Sequence, residues 1–133
     1  MPYTISWYDD DRTIILSQSG TRISYPEMHE MFDQVVKMAE ETTQPFYYIL
    51  DLSSLKQVES MNIRQMQQLG QHAFTKHPRR MGTYIAALNT RVRVIVDIFI
   101  RLFPRYAHRL YTADNLQDAL RQIAAHKQKA SAG

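Results

Sequence analysis

Asp9-Asp10-Asp11 is the densest acidic run in the chain, and clustered carboxylate oxygens suit a hard divalent cation. The run lacks the spaced ligands and the glycine of a calcium loop, so it reads as a solvated turn. The five histidines, His29, His72, His77, His108 and His126, are scattered along the chain with no paired metal spacing. His29-Glu30 has no second histidine at the zincin interval. Each histidine reads as a surface or satisfied polar residue, and no metal is expected. Asp51, Ser53, Ser54 and Asn89 could meet at one sheet edge and hold a small polar group. Nothing among them sets a base beside a nucleophile.

Other reactive patterns are missing as well. Only four glycines are present, with no glycine-rich phosphate loop and no Gly-x-Ser-x-Gly elbow. The absence of cysteine excludes disulfides and thiolate chemistry. The expectation is a protein with no catalytic residues and no cofactor.

The elements that would position such residues are legible from periodicity. Phe46-Tyr47-Tyr48-Ile49-Leu50, followed by Asp51-Leu52, lies between Pro45 and Ser53-Ser54. A short apolar run so bounded fits a strand covered on both faces. Residues 3–8 and 12–18 read as a hairpin across the triple Asp. Ser24, Pro26 and Glu27 start a helix with a capping box, and Met28, Met31, Phe32, Val35 and Ala39 form its apolar face. Ser60 is expected to cap a second helix with a buried face of Ile63, Met66, Gly70, Ala73 and Phe74, ending near His77-Pro78. Gly70 inside that helix suggests close approach to the sheet. Residues 83–88 form a buried strand, in which Ala86 and Ala87 leave room for a helix on either side. His108–Tyr111 reads as a last strand. Asp114 and Gln117 are expected to box the final helix, whose core face is Leu116, Ala119, Leu120, Ile123 and Ala124.

Residues 91–103 carry more apolar side chains than a one-sided helix needs. Val92, Ile95, Val96, Phe99 and Phe103 would face the sheet. Val94, Ile98 and Leu102 widen the arc on one side and Ile100 on the other. Arg93, Asp97 and Arg101 form the polar stripe, paired at i,i+4. The surplus suggests a second covering surface, either a partner subunit or an apolar ligand. Deeper burial of the helix is the alternative.

A chain of 133 residues is long enough for a real core, and a single α/β domain over residues 1–128 is expected, with a flexible tail at 129–133. It would be a mixed sheet of about five strands with four helices. No apolar run reaches 18 residues, and Met1-Pro2-Tyr3-Thr4 lacks the basic and apolar regions of a secretory signal, so a cytoplasmic protein is expected. Residues 1–66 hold 5 Lys/Arg and 10 Asp/Glu, a net charge of −5, whereas residues 67–133 hold 11 and 3, a net charge of +8. The basic half could meet nucleic acid through Lys76, Arg79, Arg80, Arg91 and Arg93. No reader motif or interleaved aromatics support that reading.

The element order, together with Ile49-Leu50-Asp51-Leu52-Ser53-Ser54-Leu55 and Val58-Glu59-Ser60, resembles the STAS fold of anti-sigma-factor antagonists. More broadly, it is similar to small bacterial STAS/SEC14-like proteins. The resemblance spans about residues 3–126. It implies a regulatory domain acting by protein–protein contact. It maps a regulatory phosphoserine onto Ser60, with Glu59 in place of the family's aspartate and Met61-Asn62 where the family has small residues and glycine. A helix N-terminus suits a phosphate, though Glu59 beside it opposes one. The SEC14-like side of the resemblance implies a lipid or other apolar ligand between helix 91–103 and the sheet, with Arg105 or Arg109 near its head group. The leading expectation is a homodimeric, non-enzymatic scaffold or regulatory domain. An apolar-ligand carrier is the alternative, and nucleic-acid binding comes after both.

Overall fold

The computed structural model describes residues 3–58, 62–87, 89–105 and 107–132. Strands β1 (Tyr3–Trp7) and β2 (Ile14–Ser19) form an antiparallel hairpin. The turn is built on Asp9. Its Oδ1 accepts from the Thr13 and Ile14 N–H groups at 2.9 Å each, and its Oδ2 accepts from the Thr13 hydroxyl. Burial pushes the Asp9 carboxyl up, but these hydrogen bonds outweigh it and leave the group below the usual carboxylate range. The first aspartate of the run is thus committed to the turn, while Asp10 and Asp11 are exposed.

The chain continues through a two-residue strand β3 (Arg22–Ile23), α1 (Tyr25–Glu40), β4 (Phe46–Asp51), β5 (Gln57–Val58), α2 (Ile63–Gly70), β6 (Arg80–Ala86), α3 (Thr90–Leu102), β7 (Leu110–Ala113) and α4 (Leu116–Ala132). Ser24 and Glu27 form the expected capping box on α1. The main sheet has the order β1-β2-β4-β6-β7, parallel except for β1, and β3 and β5 form a separate parallel pair that periodicity is too short to register. The domain is therefore α/β, with a five-stranded mixed sheet and four helices.

All six residues of central β4 are buried. Their alternation divides the core. Phe46, Tyr48 and Leu50 join the layer beneath α1, α2 and α3, whereas Tyr47 and Ile49 join Tyr84 and Ile123 beneath α4. Ala86, Ala113 and Ala119 are small enough to let α4 sit close to β4, β6 and β7. On the other face α3 stands farther from the strands.

Several sequence expectations are corrected. Helix α2 is capped by Asn62, whose side chain accepts from Gln65 N–H in a capping box, and not by Ser60. Glu59 and Ser60 lie outside the described residues. The helix stops at Gly70, where Thr75 Oγ1 donates to the Gly70 and His72 carbonyls and holds a turn instead. Ile63 and Ala73 are exposed, and Leu69 is buried in their stead. Gly70 is the last residue of the helix and not an interior position, and it lies buried at the side of a cavity between α3 and the sheet. Strand β6 begins three residues early, and β7 starts at Leu110. Asn115, not Asp114, caps α4 by accepting from Asp118 N–H at 2.8 Å. Ala124 is exposed, and α4 runs to Ala132, through most of the segment expected as a tail. No helix among the described residues is long and apolar enough to cross a membrane.

Candidate functional site

Because α3 stands off, a cavity of about 130 Å³ opens between it and the sheet. Leu50, Ile85 and Leu110 form its floor on β4, β6 and β7. Val92, Ile95, Val96 and Phe99 form its roof on α3. Met28 and Phe32 of α1 and Met66 and Leu69 of α2 close one side. The lining is almost wholly carbon. Its polar side chains are Thr75, Arg80 and Thr83. The α3 residues that line it are among those expected to face the sheet, whereas the surplus residues Val94, Ile98, Ile100 and Leu102 do not line it.

Arg80 is the unexpected member. Its sequence context suggests a basic surface, yet it is only 5 % exposed. The cause is a bulge. Phe46 pairs with Arg80, whereas the next residue, Tyr47, pairs with Gly82, so Met81 is an extra residue in β6. Strict alternation would put Arg80 with Gly82, Tyr84 and Ala86 under α4. The bulge returns it to the face of Phe46, Thr83 and Ile85, as bulges re-aim side chains beside sites. Met81 packs instead with the α4 layer.

The Arg80 guanidinium donates from Nη1 to Thr83 Oγ1 at 2.7 Å and to the Arg109 carbonyl at 3.3 Å. From Nη2 it donates to the His108 carbonyl at 2.8 Å and the Thr75 carbonyl at 3.1 Å. Arg109 adopts a left-handed backbone, φ 57°. Nε is buried and has no partner. Burial, and then the neighbouring Arg109 cation, lower the Arg80 pKa. The expected cations do not line the cavity. Arg109 Nη1 donates to the Arg80 carbonyl at 3.3 Å, and Arg105 borders a separate surface pocket with Leu102 and Pro104.

The polar edge residues are brought near one another but keep separate tasks. Asp51 is buried. Its Oδ1 accepts from Ser53 N–H and its Oδ2 from Gln18 Nε2, both at 3.0 Å. Ser53 and Ser54 are exposed in the following turn. Asn89 caps α3 by accepting from Arg91 N–H at 2.8 Å, and its amide reaches the Leu55 carbonyl at 3.5 Å. None of these four lines the cavity.

Three side chains that sequence spacing leaves apart do converge. His29, Asp33 and His72 place one ligand-type atom each within 4.8 Å of one another. The i,i+4 spacing of His29 and Asp33 on α1 is the available signal, while His72 comes from the turn after α2. Their hydrogen bonding does not suit a metal. Phe74 N–H donates to His72 Nδ1 at 3.1 Å, which puts the neutral ring's proton on Nε2, where it faces Asp33 Oδ1 at 2.7 Å. A ring ligating through Nε2 would carry its proton on Nδ1, against the Phe74 N–H. That hydrogen bond from His72 holds the Asp33 carboxyl below the usual range, its slight burial opposing.

On α3, Val94, Ile98 and Leu102 are 49 %, 44 % and 50 % exposed, an apolar stripe on the helix's outer side. Ile100 instead packs against the core. Arg93 bridges to Asp114 at 2.7 Å, off the stripe expected with Asp97. Comparison with protein-family models finds no match, and no curated protein matches the chain at a significant level.

Proposed function

We propose that this protein is a non-enzymatic α/β domain that binds a small apolar ligand in the cavity between α3 and the sheet. The carrying observation is the cavity itself, about 130 Å³ and lined almost entirely by carbon. An engineered void of about 150 Å³ with a similar lining in another protein stays dry and takes up benzene. The element order that, with residues 49–55 and 58–60, carries the STAS/SEC14-like resemblance supports this reading, because the SEC14-like side of that group implies an apolar ligand at this helix. Protein from its native host should lose a small mass on passing from native to denaturing conditions in intact-mass measurement. Val96→Trp, which fills the roof, should abolish that mass. A bare protein with a clean organic extract contradicts the proposal.

A second reading rests on a different observation, the outer stripe of α3. Val94, Ile98 and Leu102 recur one turn apart at about half exposure, and such a stripe suits a homodimer of a regulatory or scaffold domain. Light scattering at micromolar concentration should then give a dimer, and Val94→Glu with Ile98→Glu a folded monomer. A monomeric wild type overturns this second reading and leaves the cavity untouched.

A further inference from the structure

Resting on the reading of the cavity as a ligand site, we infer that its ligand is a small monocarboxylic acid. The carboxylate pairs with Arg80 Nε and the Thr83 hydroxyl, and an apolar body of roughly six to eight carbon atoms fills the cavity, on the scale of voids that admit benzene.

Arg80 is a buried cation without a counter-charge. Four of its five guanidinium N–H groups reach neutral acceptors: three backbone carbonyls and one hydroxyl. No carboxylate among the described residues pairs with it, and none lines the cavity. Carbonyl dipoles orient a guanidinium but do not neutralise it, and a buried unpaired charge is costly. The fifth donor, Nε, is buried and unused. Thr83 Oγ1 accepts from Arg80, which leaves its own proton for an acceptor in the cavity.

The number of open donors sets the class of anion. One N–H and one O–H match the two oxygens of a carboxylate. A phosphate offers more oxygens and a second charge, for which no further cation lines the cavity: the Arg109 guanidinium is close to Arg80 but is turned to the Arg80 carbonyl and is not part of the lining. The remaining walls, Leu50, Ile85, Val96 and Phe99 among them, accept only carbon.

The test is calorimetric titration of the full chain with octanoate, its neutral counterpart 1-octanol, and octyl phosphate. Octanoate should bind at least about tenfold more tightly than octanol, the ratio that one charge-assisted hydrogen bond supplies. Thr83→Val and Arg80→Met should each remove that preference while octanol binding persists. Should Arg80→Met fail to fold, Thr83→Val, a near-isosteric change, decides the same question. Equal binding of octanoate and octanol overturns the inference but leaves the apolar site standing. A preference that survives both substitutions overturns it too, because the acid is then held by surface cations. Tightest binding of octyl phosphate overturns the assignment to carboxylates. Failure of all three probes to bind overturns the inference and the ligand-site reading together.

Discussion

Tyr48 shows how a single side chain can be both core and polar. It is fully buried at the centre of β4, and its hydroxyl meets Ser17 Oγ, also fully buried, at 2.5 Å. Burial pushes its pKa up, so the phenol stays neutral and one hydroxyl donates to the other. Tyr48→Phe keeps the ring but leaves Ser17 unpaired. It should destabilise the domain by about 1–3 kcal/mol in chemical denaturation, the cost of a stranded buried hydroxyl. Adding Ser17→Ala removes the stranded group and should recover most of the loss. A double variant no more stable than Tyr48→Phe alone contradicts the pairing. Neither partner is legible as such: the sequence shows an aromatic in an apolar run and a serine in a strand 31 residues away. Arg80 escapes sequence reading for a related reason. An arginine beside another arginine, just ahead of an apolar strand, looks like surface, and only the bulge at Met81 sends it inward.

At the scale of elements, the sequence signals that succeed are those that act locally. The box of Ser24 and Glu27 starts α1 where periodicity places it, and the unbroken apolar run of β4 is buried on both faces. The signals that fail are competitions between neighbours. Asn62 and Asn115 take the capping positions expected for Ser60 and Asp114, each meeting the N–H three residues on. Thr75 ends α2 early by offering its hydroxyl to two carbonyls. Helix α3 has two apolar sectors with different neighbours. Val92, Ile95, Val96 and Phe99 line the cavity, with Val92 and Val96 the more deeply buried, and Val94, Ile98 and Leu102 face outward. Nine strongly apolar residues in thirteen announce the surplus without saying how it is divided.

Across the whole molecule the sheet is covered unequally, by one close helix on one face and three helices on the other. The strand and helix order is legible because each element is periodic by itself. The cavity is not, because it depends on how far α3 stands from β6 and β7, a distance that hydrophobicity does not encode. Small side chains let α4 approach, while Ile95, Val96 and Phe99 hold α3 out over Leu50, Ile85 and Leu110. The central claim is that this space receives a ligand. The most direct measurement is a methyl-resolved NMR titration of Ile, Leu and Val side chains with 1-octanol, whose neutrality makes the result independent of Arg80. The largest shifts should fall on Leu50, Ile85, Ile95, Val96 and Leu110, with Ile49 and Ile123 across the sheet unmoved. Shifts confined to Val94, Ile98 and Leu102, or none at saturating octanol, would contradict a ligand site beneath α3.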